Sequence, residues 1–217
     1  MGRNPTVVKT GETKQHTLAS EVAFEGVSLH KGLRSNILIR PAAPHHGIVF
    51  ERTDIKTQNR IIPAKWDNVS DTTLCTTVAN HRGVSVSTIE HLMAAFAGCG
   101  VDNALVEIDC PEVPIMDGSS RPFVDFFEKV GLSQQDACRK VIKILEVIEV
   151  TEKDARIKLL PADNFSIDFE IDFKSDAIKD TALDISLVNG AFNHYISSAR
   201  TFGFLEDVDR MRAAGLG

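Results

Sequence analysis

Ile37-Leu38-Ile39-Arg40-Pro41-Ala42, followed by Ile48-Val49-Phe50-Glu51, is answered far along the chain by Ile157-Lys158-Leu159-Leu160-Pro161-Ala162, followed by Ile167-Asp168-Phe169-Glu170. Each run reads as strand, Pro-Ala break, strand, at a nearly constant offset, which is the mark of a duplicated unit. A first copy at roughly residues 15–135 implies a second that starts near Arg139 and runs well beyond Gly217. Residues 207–217 read as a helix with a glycine stop and no closing strand, so the chain is expected to be incomplete at its C-terminus.

The local patterns fill in this frame. Residues 1–14 read as a disordered tail. Residues 15–25, with Leu18, Val22 and Phe24, read as one strand that turns through Gly26 and 28–32 into a second strand at 35–40. Further strands are expected at 48–52, 61–66, 72–79 and 104–109, with 84–86 leading into a helix to make a strand-helix-strand unit. A second helix, 123–130, has Pro122 in its first turn and Gly131 as its stop. Residues 132–139 read as a linker. Beyond it, 141–150 and 156–160 are expected strands, followed by the alternating run 165–173. The fold class is therefore α+β: two similar units, each a mostly antiparallel sheet with helices packed on it, the first at 15–135 and an incomplete second at 139–217.

The stretch that carries chemistry is 87–103. Ser87 with Glu90 three residues later is a capping-box pattern, and Gly98 and Gly100 supply the stop. Ile89, Leu92, Met93 and Phe96 form one apolar stripe at helical spacing, and His91 projects away from it with Glu90 on its flank. The positive end of a helix dipole keeps an imidazole neutral, the form that binds metal, and a neighbouring carboxylate can deprotonate a metal-bound water. The same two residues also suit a plain cap and a solvated histidine. Near the other end, Phe192, Tyr195 and Ile196 give a helical face, and the Thr201 hydroxyl suits either donation to a developing oxyanion or ordinary packing beside Phe202 and Phe204.

Composition narrows the classes. With 43% hydrophobic residues the 217-residue chain can bury a core, and 30 acidic against 24 basic residues give no footprint for nucleic acid. No stretch has the apolar length of a membrane span and the N-terminus has no signal core, so a cytoplasmic protein of bacterial type is expected. Cys75, Cys99, Cys110 and Cys138 lack metal-knuckle spacing and read as free thiols. His45 and His46 sit in a Pro/Gly turn and read as solvated.

Taken together, Ser87-Thr88-Ile89-Glu90-His91-Leu92, Gly100-Val101-Asp102-Asn103, Pro114-Ile115-Met116-Asp117-Gly118-Ser119 and Ala199-Arg200-Thr201-Phe202-Gly203-Phe204 resemble the UDP-3-O-acyl-N-acetylglucosamine deacetylases, the zinc amidases of lipid A synthesis in Gram-negative bacteria. Residues 15–18, Gly26-Val27-Ser28-Leu29-His30 and Asp71-Thr72-Thr73-Leu74-Cys75-Thr76 match as well, so the resemblance spans nearly all of the chain after the tail.

The resemblance implies hydrolysis of the acetamide of an acyl-UDP-amino-sugar, with release of acetate. His91 matches one of three zinc ligands, Glu90 the general base on the zinc-bound water and Thr201 the oxyanion donor. Leu74 and Cys75 match residues beside the zinc, although Cys75 equally suits a small buried apolar position. Phe202 and Val208 match the start of the passage that takes the acyl chain. The other two zinc ligands, a His and an Asp four residues apart, match nothing here, because none of the seven histidines begins a His-x-x-x-Asp. They are expected downstream of Gly217, with a catalytic lysine and a second histidine, so the 217-residue chain alone is expected neither to hold zinc tightly nor to turn over. A non-catalytic binding module for acyl-UDP-sugar and a different zinc amidohydrolase remain alternatives.

Overall fold

The computed structural model describes residues 13–173, 178, 181–188 and 190–213. Of the tail expected at 1–14, all but Thr13 and Lys14 lies outside them. The chain forms two compact units, one of Met1–Arg139 with Ser197–Gly217 and the other of Lys140–Ile196.

In the first unit the chain runs β1 (Lys14–Leu18), β2 (Val22–Val27), β3 (Arg34–Pro41), β4 (Ile48–Arg52), β5 (Ile61–Pro63), a 3-10 turn at Trp66–Asn68, β6 (Val69–Asp71), β7 (Thr77–Ala79), β8 (Ser85–Val86), α1 (Glu90–Cys99), β9 (Ala104–Ile108), α2 (Arg121–Val130) and β10 (Leu132–Cys138). Five strands make the main sheet in the order β2-β3-β9-β4-β5. β2 and β3 form the expected hairpin, with Val22 opposite Ile39 and Val27 opposite Arg34. β9 lies between the two local pairs, antiparallel to β3 and parallel to β4. Alternation sends Ile37 and Ile39 of β3 and Ala104, Val106 and Ile108 of β9 inward.

Against that face pack α1, through Leu92, Ala95 and Phe96, and α2, through Phe123, Val124 and Phe127, all buried. Phe96 and Phe127 stack at 4.8 Å between ring centroids, and Phe24 of β2 stacks on Phe126 of α2 at the same separation. Burying an aromatic side chain of this size is worth about 1.5–3 kcal/mol; the first pair ties α1 to α2 and the second ties α2 to β2.

Three local expectations are corrected. Residues 15–25 are two strands in different sheets, because the chain bends at Ala19 and Ser20. The strand-helix-strand succession is present as β8, α1 and β9, with β8 in a three-stranded sheet with β6 and β7 and β9 in the main sheet. The linker at 132–139 is β10, whose polar side chains hid a strand that exists because β1 supplies its hydrogen bonds, with Leu18 opposite Leu132 and Lys14 opposite Cys138. The stripe of α1 includes Ala95 in place of Met93, which is only half-buried.

The second unit contains two hairpins: β11 (Ile148–Glu152) with β12 (Ala155–Leu159), and β13 (Ser166–Glu170) with β14 (Ala182–Ser186). Residues 141–147 are not strand. A π-helical turn, Phe192–Ile196, matches the helical reading there. The last helix, α3 (Leu205–Ala213), belongs to the first unit. No helix among the described residues is long and apolar enough to cross a membrane.

Candidate functional site

Helix α1 starts abruptly. Ser87 pairs as a parallel bridge with Glu112, Thr88 turns into the left-handed region at φ 56°, and Ile89 is already helical. A β-branched residue at positive φ is an outlier that costs about 1–3 kcal/mol and persists only where its surroundings determine it. Those surroundings are the Glu112 carboxylate, wholly buried, which accepts the Thr88 hydroxyl at 2.9 Å, the His30 amide at 2.9 Å and the Lys31 amide at 3.1 Å.

The capping box is absent, which corrects the sequence reading. No side chain caps α1, and the Ser87 hydroxyl donates to the Pro111 carbonyl instead. Glu90 turns outward to the loop before β7, where its Oε2 accepts the Thr76 amide at 2.9 Å, while the Thr76 carbonyl accepts the Ile89 amide. Among the described residues Glu90 Oε1 has no hydrogen-bond partner. His91 is half-buried beside it, off the packed face formed by Leu92, Ala95 and Phe96. At the far end Gly100 is the expected left-handed stop at φ 76°, while Gly98 lies inside the helix.

Residues 117–120 tie this helix to Thr201. The Ser120 hydroxyl donates to the His91 carbonyl at 3.0 Å, and the Gly118 carbonyl accepts the Thr201 amide at 2.9 Å. Asp117 accepts both the hydroxyl and the amide of Ser119, and these bonds, with the Arg200 charge beyond them, hold its carboxyl below the usual carboxylate range. Gly118 adopts φ 84°, and a Cβ there would lie 3.8 Å from the Thr201 methyl.

The other sequence candidates fall into two groups. Leu74, at φ 62°, is 67% exposed, and half-buried Cys75 lies with its Sγ 3.8 Å from the Thr77 hydroxyl, both on the loop that carries Thr76. Thr201 and Phe202 are exposed, Phe202 meets Phe204 edge-on at 5.9 Å, and Val208 is half-buried near Gly203. The structure thus joins Glu90 to the 74–76 loop and His91, through 117–120, to Thr201. Sequence reasoning missed Thr76, Ser120, Gly118, Thr88 and Glu112 as parts of this arrangement. The prolines and Gly118 of the stretch 111–122 mark a built loop, but its Gly118 carbonyl, like the Thr76 amide and the His91 carbonyl, is a backbone group that carries no residue signature.

Among the described residues no group of three or more His, Cys, Asp or Glu converges as a metal site. His91 offers one imidazole where a catalytic zinc takes three protein ligands and an open position, so the described residues do not by themselves fit that metal.

Residues 15–217 match the family described as UDP-3-O-acyl N-acetylglycosamine deacetylase, LpxC. Proteins named UDP-3-O-acyl-N-acetylglucosamine deacetylase are similar to the chain in Phenylobacterium zucineum, 46% identical over 93% of this chain and 69% of the relative, and in Idiomarina loihiensis, 46% identical over 94% and 67%. One from Haemophilus influenzae is 42% identical, also over 94% of this chain and 67% of the relative. The chain belongs to the UDP-3-O-acyl-N-acetylglucosamine deacetylase family, the enzymes of lipid A biosynthesis.

Proposed function

We propose that Glu90 is the general base, Thr201 the oxyanion donor and His91 one zinc ligand in the hydrolysis of the acetamide of UDP-3-O-acyl-N-acetylglucosamine, carried out in the cytoplasm. The observation that carries this reading is the Glu90 carboxylate, fixed at Oε2 by the Thr76 amide beside a half-buried imidazole that the core does not use.

A carboxylate anchored at one oxygen can take a proton at the other. Glu90 Oε1 receives a proton from water as the water oxygen bonds to the acetamide carbon. The carbonyl oxygen takes up negative charge, and the hydroxyl of Thr201, a residue whose backbone amide is tied to Gly118, donates to it, a role worth about 3 kcal/mol where the donor is aligned. Collapse breaks the C–N bond, the leaving nitrogen takes the proton that Glu90 Oε1 holds, and acetate and a free amine result. Zinc, on which the family depends, would supply Lewis-acid polarisation when held by His91 with donors outside the described residues. Leu74, Cys75, Phe202 and Val208 are the apolar groups proposed to border the substrate. The exposure of Leu74 and Phe202, 67% and 55%, supports this, since large apolar side chains left in water beside a site mark a surface that takes apolar ligand.

The test is Glu90→Ala in the protein expressed from its complete reading frame. Turnover is expected to fall by on the order of 10²–10⁴ with zinc still bound. Unchanged turnover overturns the assignment of the base. Wild-type protein that binds the substrate without hydrolysing it would favour a binding module, and equal rates on simple N-acetyl sugars a different amidase.

A further inference from the structure

Between the last residue of an extended segment and the first turn of α1 the chain has a single residue in which to change direction, and that residue is Thr88. Glycine is the ordinary choice for a left-handed turn. Here a β-branched side chain occupies it, 2% exposed, with its hydroxyl on a carboxylate that is itself fully buried. Glu112 in turn is fixed by two backbone amides of the turn at 28–33, so its position is set by an element distant in sequence from α1. Strained strand-to-helix turns of this kind occur where a catalytic side chain must be presented at a set angle, because the turn direction decides where the next side chains point. Two residues on stand Glu90 and then His91.

We infer that Thr88 is a positioning residue: held by Glu112, it sets the direction of the first turn of α1 and so places the Glu90 carboxylate on the Thr76 amide and the His91 ring beside it. The inference rests on reading Glu90 as the base, yet the geometric half can be measured without any turnover. The Thr76 amide donates to Glu90, so its exchange with solvent reports the aim of that carboxylate. Thr88 acts only through these neighbours and has no contact of its own with substrate in this scheme.

The experiment compares T88V, T88S and T88G. Valine keeps the shape and removes the hydroxyl, serine keeps the hydroxyl, and glycine accepts the left-handed backbone with neither strain nor hydroxyl. Amide hydrogen exchange at Thr76 is followed by NMR in the 217-residue chain, with E90A as the unprotected reference. Turnover is followed in the protein from the complete reading frame. T88V and T88G are expected to lose Thr76 protection towards the E90A level and to lower kcat by on the order of a hundredfold with little change in KM, as for a misplaced catalytic group, while T88S keeps both near wild type. Wild-type Thr76 protection and kcat in T88G overturn the inference, because a merely structural strain would be relieved there at no functional loss. If T88V fails to fold, the T88G and T88S pair decides. If the wild type shows no deacetylation, the function reading has failed while the exchange data still judge Thr88.

Discussion

The Thr76 amide lies 2.9 Å from Oε2 of Glu90, so the first carboxylate of α1 is bound to a neighbouring loop and not to its own helix end. Glutamine keeps an oxygen for that amide and alanine does not. E90Q is therefore expected to unfold within about 0.5 kcal/mol of wild type, and E90A to lose about 1 kcal/mol by leaving the Thr76 amide without its acceptor. Urea denaturation of the 217-residue chain measures both. In the protein from the complete reading frame turnover should be lost in both variants, which separates the structural bond from the proposed catalytic role.

Arg139 closes the first unit on itself. Its Nε and Nη2 donate to the two oxygens of Asp102 at 2.7 and 2.8 Å, and Nη2 also donates to the Gly100 carbonyl at 2.8 Å. Asp102 accepts the His16 amide as well, so β1, the end of α1 and the end of β10 meet at one carboxylate. Partly buried charge-assisted bonds of this kind are worth about 1.5–3 kcal/mol, and Arg139→Ala is expected to cost about 2 kcal/mol in chemical denaturation. Lysine should recover only part of it, since a point charge cannot reproduce the two-pronged geometry.

Acid stability has a defined contributor at Asp54. Arg52, its side chain 9% exposed, donates Nε and Nη2 to the two Asp54 oxygens, and these bonds hold that carboxyl below the usual carboxylate range. A carboxyl lowered on folding stabilises the folded state above its unfolded value of about 3.9, and this stabilisation is lost as pH falls through the lower folded value. The Tm gap between wild type and Asp54→Asn is expected to be constant above about pH 5 and to shrink below about pH 4. A gap that widens on acidification would contradict the sign.

Metal content follows from the donor count. Since His91 stands without two further converging ligands among the described residues, the 217-residue chain dialysed free of excess metal is expected to retain well under one equivalent of zinc. Elemental analysis checks this, and one equivalent that disappears on His91→Ala would show a site completed within the chain.

Much of the first unit can be read from local pattern. The β2–β3 hairpin, β4, β9, the core of α1 and α2 with Pro122 at its start and Gly131 at its end all follow from period-2 or period-3.6 spacing and glycine or proline punctuation, because each is stabilised mainly by where its own apolar residues fall. β10 is the contrast. Leu-Ser-Gln-Gln-Asp-Ala-Cys has no apolar alternation, and it is a strand because β1 completes its ladder.

Residue order alone places the candidate groups, a carboxylate and an imidazole side by side at a helix start with Thr201 far downstream, because adjacency and helical spacing are written in the chain. Tertiary structure alone decided how they are aimed. The buried Glu112 and the backbone groups of Thr76 and Gly118 set that geometry through hydrogen bonds between segments distant along the chain, and a backbone amide or carbonyl leaves no trace in the identity of the residue that bears it.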